Sequence, residues 1–169
     1  ETMADAARVV SRYLNGIVIR TCNQSDVEEL AQDADIPVIN ALTDLLHPCQ
    51  IMSDILTIYE KLGRYEDFKL VYIGDGNNIS NSWIALASIL GLNFTLARPK
   101  GYGPDSFVAD RAKKVSAESG AYINIIEDPK QAAISADVVY TDVWTSMGLE
   151  AELEKRKGIF KAYQVNKPL

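Results

Sequence analysis

Hydrophobic and polar positions follow two alternating rhythms along the chain. Short apolar runs, such as Ile17-Val18-Ile19, Pro37-Val38-Ile39-Asn40, Leu70-Val71-Tyr72-Ile73 and Phe94-Thr95-Leu96-Ala97, have the length and β-branched content of buried strands. Between them apolar residues recur every three or four positions, as in Ile79, Trp83, Leu86, Ala87 and Leu90, which predicts helices. The pattern gives helix 3–14 with Met3, Ala6, Ala7, Val10 and Leu14 on one stripe, strand 17–19, helix 24–34, strand 37–40 and helix 51–62. A polar connector over 63–69 follows, and then strand 70–73, helix 78–90, strand 93–97, helix 105–119 and strand 121–126. A short helix from Pro129, strand 138–141 and helix 149–157 complete the series.

Strands alternating with helices predict an α/β fold built on a doubly wound parallel sheet, with a domain boundary near the connector. Ser25 with Glu28 three residues later is read as a capping box for the second helix. Gly63 stops the third, and Pro48 suits its first turn, where no N–H is needed.

In an open parallel sheet, ligands bind outside the carboxyl ends of the strands. Four features fall there. Arg20 ends the first strand, and His47, the only histidine, stands with Gln50 at a helix N-terminus, where free N–H groups favour an anion. Gly74-Asp75-Gly76-Asn77-Asn78 forms a glycine-punctuated turn whose adjacent amides can donate and accept towards a ligand. Asp142-Val143-Trp144-Thr145-Ser146-Met147-Gly148 follows the last strand, with a carboxylate for a cationic group, a hydroxyl and an apolar wall.

The glycine turn is not a dinucleotide fingerprint. Ile79 occupies the third glycine position, and the next strand ends in Arg98-Pro99 without an acidic residue for a ribose, so a nucleotide-dependent oxidoreductase is disfavoured. With 169 residues, 47% hydrophobic and 24% charged, the composition is that of an ordinary globular chain. A net charge of −6 without a basic stripe argues against a nucleic-acid partner. The most apolar window, residues 83–92, is far shorter than the roughly 20 residues of a membrane span, so no membrane partner is expected. Cys22 and Cys49 are too few for a disulfide framework or a zinc site, so no metal is expected. Both are read as inert buried thiols in a reducing compartment.

Taken together and in order, the strand-end motifs resemble the ornithine carbamoyltransferases, as do Ser11-Arg12-Tyr13, residues 37–44 and Pro99-Lys100-Gly101-Tyr102. The resemblance covers essentially the whole chain. It implies the later part of a carbamoyl-phosphate domain over 1–48, an interdomain helix over 49–63 and an ornithine-binding domain over 64–169. By the same resemblance Arg20, His47, Pro48, Cys49 and Gln50 are carbamoyl-phosphate ligands, with Arg20 and His47 catalytic. Asn78, Asp142, Ser146 and Met147 are ornithine-binding positions, and Ser146-Met147-Gly148 separates ornithine enzymes from aspartate and putrescine relatives. The reaction implied moves a carbamoyl group from carbamoyl phosphate to the δ-amine of L-ornithine, giving citrulline, with no cofactor. A homotrimer in the cytoplasm, or in the mitochondrial matrix or plastid stroma of a eukaryote, is also implied.

The family's upstream Ser-Thr-Arg-Thr-Arg loop and downstream His-Cys-Leu-Pro element do not occur in these residues. The chain is therefore expected to be an internal fragment, weakly active or inactive by itself. A non-catalytic ligand-binding or regulatory module of the same fold is the alternative.

Overall fold

Leu70, Val71, Tyr72 and Ile73 are all wholly buried, so the strand they form is covered on both faces. It is β3 (Lys69–Ile73), near the centre of a parallel sheet completed by β4 (Asn93–Ala97), β5 (Tyr122–Ile126) and β6 (Val138–Tyr140) in the order β5-β4-β3-β6. This computed structural model describes residues 2–145, 150–167 and 169. Successive side chains of a strand point to opposite faces. Leu70, Tyr72, Phe94 and Leu96 accordingly meet α4 (Asn78–Leu90) and α5 (Ser106–Ser119) in one core cluster. Val71, Ile73 and Ala97 meet α6 (Pro129–Ala133), α7 (Leu153–Phe160) and Tyr163 in a second. The sheet is therefore doubly wound, as the alternating pattern requires.

The first part of the chain forms a separate two-stranded parallel sheet, β1 (Ile17–Arg20) with β2 (Val38–Leu42), accompanied by α1 (Met3–Val10) and α2 (Gln24–Asp33). From β2 the chain enters α3 (Pro48–Leu62), which starts with Pro48 in its first turn and ends on Gly63 at φ 71°. A left-handed cap of that kind costs a glycine nothing. Ile51, Ile55 and Ile58 of α3 join the core of the larger sheet, so this helix ties the two sheets together.

Three local expectations are corrected. The first helix stops at Val10, and Leu14 is half exposed, because α1 packs on α2 and buries only Ala7 fully. The second helix begins at Gln24, with no Ser25–Glu28 box. Its Gln24 N–H is taken instead by Asp44 Oδ1 from beyond β2, at 3.1 Å. The last helix runs to Phe160 after a 3₁₀ turn over Glu150–Glu152, drawn onward by Phe160, which is fully buried among Tyr102, Trp144 and Tyr163.

Candidate functional site

The carboxyl ends of β1, β2, β3 and β6 converge on one cleft of about 700 Å³. Arg20 at the end of β1, His47 and Gln50 at the start of α3, Asn78 at the start of α4 and Asp142 beyond β6 all line it. The structure thus brings together five of the residues singled out from sequence. Pro48 and Cys49 contribute no side chain to the wall: Pro48 opens α3, and the Cys49 thiol donates to the Asn40 carbonyl at 3.3 Å. Ser146 and Met147 lie outside the described residues. Cys22 is not the buried thiol expected. It follows the end of β1, is exposed and lines the cleft.

The two adjacent asparagines also differ from expectation, because much of their hydrogen-bonding capacity serves the scaffold. Asn77 Oδ1 accepts from the N–H groups of Ile79 and Ser80, both at 3.1 Å, which caps α4, and its Nδ2 donates to Asp142 at 3.2 Å. Asn78 Nδ2 donates to the Thr43 carbonyl at 2.8 Å. Asn81 Nδ2 donates to the Leu45 carbonyl at 3.1 Å, and Ser82 Oγ accepts from the His47 N–H at 2.7 Å. The polar face at the start of α4 therefore clamps residues 43–47, the turn that delivers His47. This explains why a helix inside the core buries Asn81 and Ser82.

Sequence reasoning missed four contributors, Thr43, Arg156, Tyr140 and Asp54. Thr43 is fully buried, donates to Gln24 Oε1 at 2.7 Å and accepts from the Leu46 N–H at 3.0 Å, shaping the same turn. Asp75 faces the cleft but is paired with Arg156, which is itself buried, stacks on Tyr102 and Phe160 and donates through Nε to the Trp144 carbonyl at 2.5 Å. Tyr140 lines the cleft and donates to Asp54 at 2.8 Å. Asp54 also accepts from Gln50 Nε2 at 3.0 Å. Arg156 stands in a run with Glu154, Lys155 and Lys157, and Asp54 among the polar residues of an amphipathic helix, so neither carries a local signal of its role.

The electrostatics divide the cleft. Burial, and then the Arg20 guanidinium, hold His47 below the usual histidine value, against the opposing pull of Asp142 and Asp54. Its imidazole is neutral at pH 7, and its buried Nδ1 has no hydrogen-bond partner among the described residues. Burial raises Asp75, with Arg156 opposing the shift. Burial, reinforced by Asp54, raises Tyr140, so its hydroxyl keeps its proton and donates. One wall, with Arg20 and His47, can bind an anion and polarise a carbonyl, and Gln50 beside them offers an amide oxygen to a donor. The other, with Asn78 and Asp142, can hold an ammonium group. Arg156 already pairs with Asp75, and among the described residues of this wall Asp142 is the carboxylate without a cationic partner.

Both parts of the chain resemble known proteins. Residues 1–60 match the family model described as aspartate/ornithine carbamoyltransferase, carbamoyl-P binding domain, and residues 66–169 match its Asp/Orn binding domain. An ornithine carbamoyltransferase of Syntrophus aciditrophicus is 56% identical over all 169 residues, which span 55% of that protein. One from Thermococcus kodakarensis is 52% identical over the whole chain and 54% of its own length. The solved structure of the Pyrococcus furiosus ornithine carbamoyltransferase superposes with a TM-score of 0.93 at 49% identity, over 99% of this chain and 54% of that one. The chain spans about half the length of the curated relatives it matches.

Proposed function

Since the chain belongs to the aspartate/ornithine carbamoyltransferase family, we propose that it forms part of an enzyme that transfers the carbamoyl group of carbamoyl phosphate to the δ-amine of L-ornithine. The observation that carries this reading is the single cleft with Arg20, His47 and Gln50 on one wall and Asn78 and Asp142 on the other. The lone pair of a neutral amine forms the new C–N bond while the C–O bond to phosphate breaks, and the proton lost from nitrogen leaves with the phosphate. The barrier therefore falls if the carbonyl oxygen is polarised and the departing anion stabilised. Arg20 and His47 supply both. Asp142 pairs with the α-ammonium of ornithine and the Asn78 amide holds its polar end, so that the δ-amine reaches across the cleft. Holding two substrates face to face replaces a bimolecular encounter with a local one. Discrimination of ornithine from other amines is assigned to Ser146 and Met147, and the working assembly to a trimer.

The test is citrulline formation from carbamoyl phosphate and ornithine by the full-length protein. Turnover with ornithine, and none with aspartate, supports the proposal. Binding of both ligands without turnover would mean a non-catalytic module of the same fold.

A further inference from the structure

Gln50 stands in the cleft with its amide oriented by a neighbour. Its Nε2 donates to Asp54 Oδ1 at 3.0 Å, one helical turn further along α3, and Asp54 Oδ2 accepts from the Tyr140 hydroxyl at 2.8 Å. A carboxylate accepts hydrogen bonds and has none to give, whereas a glutamine amide can present either its oxygen or its NH₂. The partner therefore decides which end of Gln50 is turned away. Facing Asp54, the NH₂ is held and the oxygen is left for a ligand; among the described residues no donor approaches Oε1. Tyr140 in turn is fixed by stacking on Tyr72, with centroids 5.5 Å apart, and by an edge contact with Trp83 at 5.7 Å. Asp54 is thus braced between α3, which carries Gln50, and β6, two residues before Asp142.

We propose that Asp54 is a positioning residue for donor specificity: by holding the Gln50 amide with its NH₂ turned away, it presents an acceptor oxygen to the amino group of the carbamoyl donor. This deepens the carbamoyl-transfer reading and rests on it. A ligand with a carbonyl-bound NH₂ is then favoured over an anion that has the same phosphate and no N–H to offer. Inorganic phosphate is such an anion, and it is the natural probe. Removing the constraint weakens the carbamoyl donor and leaves phosphate alone.

The experiment compares Asp54→Asn and Tyr140→Phe with the unaltered full-length enzyme, measuring KM for carbamoyl phosphate, KM for ornithine and competitive inhibition by inorganic phosphate. Asparagine has nearly the same shape but can donate, so Gln50 is free to reverse. Loss of one oriented hydrogen bond predicts a rise of about 10-fold in the carbamoyl-phosphate KM of Asp54→Asn. Phosphate inhibition and the ornithine KM change by less than about twofold. Tyr140→Phe, which removes only the brace, gives the same split with a smaller rise, and it carries the test if Asp54→Asn fails to fold. Equal weakening of carbamoyl phosphate and phosphate would mean that Asp54 only supports the fold, and no change in either would refute its role outright. If the unaltered enzyme makes no citrulline, the carbamoyl-transfer reading fails; if it does and the split is missing, only the assignment to Asp54 fails.

Discussion

Replacing Arg156 with methionine strands a carboxylate. Arg156 and Asp75 are both buried and paired, and the same guanidinium donates to the Trp144 carbonyl and lies 5.0 Å from the Tyr102 ring centroid and 5.2 Å from that of Phe160. Methionine fills much of the arginine's volume and keeps contact with the rings, so little of the cost is a cavity. What remains is an unpaired carboxylate where burial already penalises the charge, together with a carbonyl that has lost its donor. Removing one partner of a buried pair costs about 3–5 kcal/mol. That is a large share of the roughly 5–15 kcal/mol holding a typical domain folded. The assay is urea unfolding followed by tryptophan fluorescence, since Trp83 packs in one core cluster and Trp144 against the other. Asp75→Asn alone leaves the arginine short of its main partner, although Glu152 stands 3.5 Å away. The double variant removes both charges, and its loss falls short of the sum of the singles by about 1–3 kcal/mol. Single losses below about 1 kcal/mol that simply add would refute the claim that this pair holds Asp75 in the cleft wall.

Two further expectations concern the walls of the cleft. His47 is held below its usual value of 6.5 in the folded protein, so the unfolded chain takes up the proton first as the pH falls. Its contribution to stability is full above 6.5 and is lost as the pH drops through the lower folded value. Urea midpoints at about pH 7.5 and about pH 5.5 therefore differ less in His47→Asn than in the unaltered protein, and an equal difference would contradict the assignment. Gly76 donates its N–H to the Tyr102 carbonyl at 3.0 Å, and a methyl group there would enter the backbone of Gly103 and Pro104. Gly76→Ala should cost about 1–3 kcal/mol and displace residues 101–104, read as a lower urea midpoint together with slower turnover.

Several features of the site were legible because they depend on local rules. The continuous burial of Leu70 to Ile73, the Pro48 start and Gly63 stop of α3, and the placement of Arg20 and Asp142 at strand ends all follow from spacing and backbone chemistry over a few residues. The contacts that were not legible join residues far apart in the chain. Asp44 caps a helix 20 positions earlier, and Arg156 reaches Asp75 across 81 positions. Nothing in a run of Glu154, Lys155, Arg156 and Lys157 says which cation turns inward, since that choice is made by the aromatic pocket of Tyr102 and Phe160. Asn77 and Asn78 were correctly placed on the cleft, yet their amides serve largely to build it, because a buried helix start and a buried carbonyl must be satisfied first.

The most direct test of the two-walled cleft is the pair of Michaelis constants measured for Arg20→Gln and Asp142→Asn in the full-length enzyme. Loss of a charge-assisted contact worth about 1.5–3 kcal/mol predicts a rise of about 10- to 100-fold in one constant of each variant. For Arg20→Gln that constant is the one for carbamoyl phosphate, and for Asp142→Asn the one for ornithine, with the other changed less than about threefold in each case. Two variants that weaken both substrates alike, or that exchange these effects, would contradict the assignment of the anion to the Arg20 wall and the amine to the Asp142 wall.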